Sequence, residues 1–244
     1  MYDFGDMLAW PMRDQSWVSK ILLMGLICLL LLVPLLNIVI VLNLYGWVYT
    51  AFDNLRSGRQ EIPPAGFGYI GRGVNPGVVL LLYGLVVAVL LGIVYLVGFG
   101  LTAIGANLSG DSGTTGALGV LGVVVILAGY LGALVLALGL ALLTPVILLR
   151  TYYGGIGAGL NLPAVIHDFR TAPLDSFMAA LGRFVGQLLG QVGVIACIVG
   201  VAFTIPYAYL VDAGAMVYLE QRRQARIPQP PPSNPGYYPS QPTY

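Results

Sequence analysis

Apolar residues gather into four long runs, 21–52, 78–104, 117–149 and 184–219, and the short segments between them hold nearly all the charge. Each run exceeds the roughly 20 residues that an α-helix needs to cross about 30 Å of hydrocarbon. The pattern predicts an all-α integral membrane protein, a multi-pass helical bundle. Two of the runs are interrupted, the first by Leu32-Val33-Pro34-Leu35-Leu36-Asn37 and the last by Thr204-Ile205-Pro206-Tyr207. Proline removes a helix hydrogen bond and clashes with the preceding turn, so Pro34 and Pro206 are predicted helix-break positions. Asn37 is suited to cap a restarting helix and to satisfy orphan N–H groups at membrane depth.

Charge discriminates between two topologies. Four plain crossings would put Arg13, Lys20, Arg222, Arg223 and Arg226 on one side and Arg56, Arg59, Arg72, Arg150, Arg170 and Arg183 on the other. That is no asymmetry, whereas Lys and Arg normally collect in short cytoplasmic loops. If the first and last runs fold back at their prolines, all 11 Lys and Arg fall on one side. The external loop is then 105–116, whose single charge is Asp111. The sequence therefore predicts two central spans flanked by proline-broken helical hairpins, re-entrant or short paired spans, with both termini in the cytoplasm. The first arm, 20–33, is only about 21 Å of helix at 1.5 Å per residue, short for a full crossing.

Residues 1–20 carry Tyr2, Phe4, Met7, Leu8 and Trp10 among acids and Arg13, and read as an interfacial N-terminal segment. Asp3, Asp6 and Asp14, followed by so long an apolar run, argue against a cleavable signal peptide. Residues 21–227 form the multi-pass helical domain. The tail 228–244, PQPPPSNPGYYPSQPTY, is expected to be disordered and open to a cytoplasmic partner. Gly182, Gly186 and Gly190 place small residues on one helix face and are expected to serve helix packing.

Composition agrees with a lipid environment: 58% of residues are hydrophobic and 9% charged, against roughly 25% charged in a soluble domain. A net charge of +1 gives no reason to expect a nucleic-acid partner. Cys28 and Cys197 lie inside apolar runs and read as small hydrophobes. His167 is the one histidine, with only Asp168 and Asp175 nearby, too few ligands for a metal. Gly155-Ile156-Gly157-Ala158-Gly159 lacks the preceding strand and the spacing of a nucleotide loop, and no histidine stands in a triad context. The expectation is therefore no catalytic residues, no cofactor and no metal. Asp212 lies in an otherwise apolar stretch, and an acid at membrane depth is costly enough to be a functional candidate. Asn37 is the second candidate.

Trp10-Pro11, then Asp14-x-x-Trp17-x-x-Lys20, Val33-Pro34-Leu35-Leu36-Asn37, Tyr45-Gly46 and Ile62-Pro63 form a pattern. It resembles the prokaryotic multi-pass membrane proteins of domain-of-unknown-function family 4013. Val165-Ile166-His167-Asp168-Phe169 and the Pro173 region are similar to the second half of that family. Ile62-Pro63-Pro64-Ala65 departs from the family's Leu-Pro followed by an acidic-aromatic stretch. The resemblance implies the architecture, in the cytoplasmic (inner) membrane of a prokaryote, and no activity. The expected role is a non-enzymatic scaffold or accessory subunit of a membrane complex, with membrane lipid and other membrane-protein subunits or further copies of itself as partners. The alternative is a small-solute or ion transporter or channel with a midplane site near the broken helices.

Overall fold

A computed structural model describes residues 2–107, 112–195 and 197–226, and every regular element among them is helical. Helix α1 (Phe4–Ala9) runs into a 3-10 turn, Trp10–Arg13. Helix α2 (Trp17–Cys28) continues as a second 3-10 turn, Leu29–Leu32. Then follow α3 (Pro34–Arg56), α4 (Ile70–Asn107), α5 (Ser112–Leu160), α6 (Leu162–Thr171), α7 (Pro173–Ile195) and α8 (Cys197–Arg226).

The first apolar run does fold back at Pro34. Val33 is extended, with φ −93° and ψ 112°, and Pro34 takes the first position of α3, where its missing N–H costs nothing. The loop after α3 then climbs back along that helix. Trp47 Nε1 donates to Pro63 O at 3.0 Å, Asn43 Nδ2 donates to Gly66 O at 2.9 Å, and Asn43 Oδ1 accepts from Tyr69 N at 3.3 Å. The start of α2 is latched to the same loop. Asp14 Oδ2 accepts from Lys20 Nζ and from Ile62 N, both at 2.7 Å, while Lys20 Nζ also donates to Ile62 O at 2.8 Å. Burial alone would raise the Asp14 carboxyl, but hydrogen bonds from Lys20, Ser16 and Ile62 outweigh it and hold the carboxyl at about 2. The Asp-x-x-Trp-x-x-Lys and Ile-Pro motifs, 42 residues apart between Lys20 and Ile62, thus meet at one latch.

Helices α4 and α5 form a long antiparallel arm. Gly73 lies on Leu42 of α3, and Gly98 lies against Gly122 and Ile126 of α5. If the rise of 1.5 Å per residue is kept from Gly73, residue 81 or so draws level with Pro34, and the arm projects about 39 Å further. Little besides the two helices themselves covers it: the most apolar windows of α4 and α5 are 11% and 6% buried. The helical arm takes up most of the expected external loop 105–116, leaving residues 108–111 outside the described set.

The second hairpin corrects the expectation at Pro206. Helix α7 ends at Ile195, α8 starts at Cys197 and runs antiparallel to it, and Pro206 sits inside a continuous α8. Proline cannot donate to the carbonyl four residues back, Ala202 O. A Cβ placed on Gly25 would lie 1.6 Å from that oxygen, so α2 presses glycine backbone onto the carbonyl freed by the proline. The sequence-level rule was sound about the lost hydrogen bond and wrong about its consequence, because a neighbouring helix supplies a backbone surface there.

Residues 2–13, part of the segment 1–20 expected to be interfacial, pack on the bundle. Met7 and Trp10 are 0% exposed. Trp10 Nε1 donates to Leu210 O at 3.1 Å, and Tyr207 Oη donates to Leu8 O at 2.6 Å, so the segment is docked on α8. The basic residues with ion pairs gather at the end of the bundle opposite the hairpin turns, as Arg56–Glu220, Arg72–Asp53, Arg150–Asp168 and Arg226–Asp175. Arg183, paired with Asp212, and the N-terminal pairs Arg13–Asp6 and Lys20–Asp14 lie elsewhere. The tail 228–244 lies outside the described residues.

Candidate functional site

The most costly polar arrangement in the interior lies between α3, α7 and α8. Asp212 of α8 is 1% exposed at its side chain and is paired with Arg183 Nη1 of α7, itself 15% exposed. Tyr45 of α3 and Tyr209 of α8 flank the pair, their rings 5.2 Å apart and near perpendicular. Two desolvated charges are tolerable only as a pair with further polar groups around them, and this cluster supplies both. One oxygen, Asp212 Oδ1, has no hydrogen-bond partner among the described residues.

The register follows from local sequence. On α7 the positions Arg183, Gly186 and Gly190 are spaced i, i+3, i+7 and share a face. Gly186 and Gly190 let α8 approach: a Cβ on Gly186 would stand 2.9 Å from Val211 Cβ, and one on Gly190 would stand 3.4 Å from Ala208 Cβ. Gly182 points elsewhere, toward Met7 of the docked N-terminal segment, at 3.1 Å. The close approach brings Arg183 against Asp212. Sequence reasoning counted Arg183 as a loop charge and missed it, although its membership of the glycine face was a usable signal.

Beyond the pair, Arg183 forms the base of a groove of about 340 Å³ between α4 and α5, lined by Leu80, Gly84, Val87, Ala137 and Leu140 among others. Small side chains on the facing helices leave this space open. Asn37, the other candidate, is exposed at the hairpin tip and lies apart from the ion pair. Its Nδ2 donates to Leu31 O at 3.2 Å, closing the turn around Val33 and Pro34. His167 is 78% exposed at its side chain. Cys28 is buried and free. No group of three or more His, Cys, Asp or Glu occurs together among the described residues.

A family model described as Protein of unknown function (DUF4013) matches residues 27–199, which leaves out Asp14, Trp17, Lys20 and Asp212. No curated protein and no solved structure matches the chain.

Proposed function

The chain belongs to the family described as Protein of unknown function (DUF4013), and from that premise we propose that it is a non-enzymatic scaffold or accessory subunit that joins a membrane complex through the α4–α5 arm. The surface of the arm carries this reading. Leu96 is 77% exposed, Phe99 62%, Leu131 61% and Val135 68%. The apolar run of α4 measures about 40 Å at 1.5 Å per residue, against about 30 Å of hydrocarbon. Tilt or a neighbouring helix accommodates such an excess, and the exposed stripe Gly84, Ala88, Gly92 offers a partner helix close approach. Two interior ion pairs, by contrast, are already closed within the chain, Arg183 with Asp212 and Lys20 with Asp14.

The test is a photo-crosslinking residue at position 96 or 131 of the full-length protein in its own membranes. Discrete protein adducts, or a crosslinked dimer, are expected at one or both positions. Lipid adducts alone at both, with a monomeric particle in native-lipid nanodiscs, would overturn the reading. A transporter or channel reading draws on the groove that ends on Arg183. Ala141 lines this groove, and a solute or ion flux in reconstituted vesicles that Ala141→Phe abolishes would favour it.

A further inference from the structure

A second cavity, of about 450 Å³, opens at the charged end of the bundle between α5, α6 and α8. Its wall depends on one backbone feature. Gly155 takes φ 68° and ψ −164°, in the positive-φ region that side-chain-bearing residues rarely adopt, and breaks α5 so that its last residues fold back along it. The returning segment lies on α5, where Arg150 Nε donates to Ala158 O at 3.3 Å.

Four charged residues line this cup, Arg150, Arg223, Asp168 and Glu220. Arg150 Nη1 and Arg223 Nη1 share a single carboxylate oxygen, Asp168 Oδ2, at 2.7 and 3.4 Å. Glu220 is already taken by Arg56 Nε at 3.1 Å, by Gln224 Nε2 at 3.2 Å and by the Tyr153 hydroxyl. These four charges sum to zero, and a surplus of one positive charge appears once Arg56, which pairs with Glu220 from outside the lining, is counted with them. Two nitrogens of Arg223, Nε and Nη2, are shielded from solvent and have no hydrogen-bond partner among the described residues, which costs free energy. Leu149, the last residue of the third apolar run, also lines the cup, so the surplus lies where hydrocarbon gives way to headgroups.

We propose that this cup binds a phosphate group through Arg150 and Arg223. A guanidinium fork presents parallel N–H donors that match phosphate oxygens, and basic pockets between helices at the cytoplasmic side suit anionic headgroups. The phosphate comes either from an anionic phospholipid or from solution, and the two sources can be separated. The proposal stands independently of whether the arm binds a partner.

The full-length protein is placed in phosphatidylcholine nanodiscs, and its thermal stability is followed during titration with inorganic phosphate. In a second arm phosphatidylglycerol replaces part of the phosphatidylcholine, and the lipid retained is counted by native mass spectrometry. Stabilisation by phosphatidylglycerol alone identifies a lipid headgroup, and stabilisation by inorganic phosphate identifies a soluble ligand. In either case Arg223→Gln should weaken the response about tenfold or more, as expected for loss of a charged hydrogen-bond donor. Arg59→Gln, outside the cup, should leave it unchanged. If Arg223→Gln does not accumulate, Gln224→Glu takes its place, since it adds a carboxylate at the cup without removing an ion-pair partner. No response to either probe, or equal responses of the cup and Arg59 variants, would overturn the proposal.

Discussion

At position 212 a carboxylate lies 1% exposed among apolar side chains and owes its tolerance to one guanidinium on the neighbouring helix. Such a pair is worth little relative to well-packed hydrophobes, yet removing one member leaves the other charge buried without compensation, at about 3–5 kcal/mol. This asymmetry yields a test of role. Asp212→Leu should sharply lower the melting temperature and folded yield in detergent. Arg183→Met combined with Asp212→Leu should recover most of that loss. If the double variant folds like the parent but a flux measured in vesicles disappears, the pair handles ions; if both survive, it is structural. A double variant as unstable as the single would mean that Tyr45 and Tyr209 depend on the charges themselves.

Among the helical elements, two proline breaks that look alike in sequence behave differently. Pro34 begins α3 after an extended Val33, and Asn37 closes the turn through Leu31 O. Pro206 stays inside α8 because the carbonyl it frees, Ala202 O, lies against the backbone of Gly25. Hairpin pairing between α7 and α8 depends on small residues in the same way. Gly186→Leu should force Val211 away and cost about 1–3 kcal/mol through overpacking, read as a lower melting temperature in detergent. An unchanged melting temperature would contradict the close approach at that position. Gly190→Ala should be milder, since the added carbon would sit 3.4 Å from Ala208 Cβ, an ordinary contact.

For the molecule as a whole, both hairpins turn at one end and the ion-paired Arg56, Arg72, Arg150 and Arg226 gather at the other, while the α4–α5 arm runs on past the turns. This arrangement suits a chain whose charged end stays in the cytoplasm and whose arm alone reaches the far side. Single cysteines at Ser57, Ser112 and Thr171, with Cys28 and Cys197 replaced, test it against an impermeant thiol reagent applied from outside. Position 112 alone should label. Labelling at 57 and 171 would restore four plain crossings.

The sequence by itself determined the solvent and the element types: long apolar runs with so few charges can only be helices in lipid, since each helix satisfies its own backbone there. It also determined the pairing of ends, because the distribution of Lys and Arg depends only on where charges fall along the chain. What only the tertiary structure decided was which polar groups meet. Arg183 reads as a loop charge until α7 is seen to begin at Pro173, and Asp212 reads as unpaired until α8 is laid on α7. The cup of Arg150, Asp168 and Arg223 spans 73 residues from its first member to its last and exists because Gly155 turns the chain back. Periodicity and composition record a residue's neighbours along the chain. Ion pairs and cavities arise between helices, where the packing of small residues sets the distances.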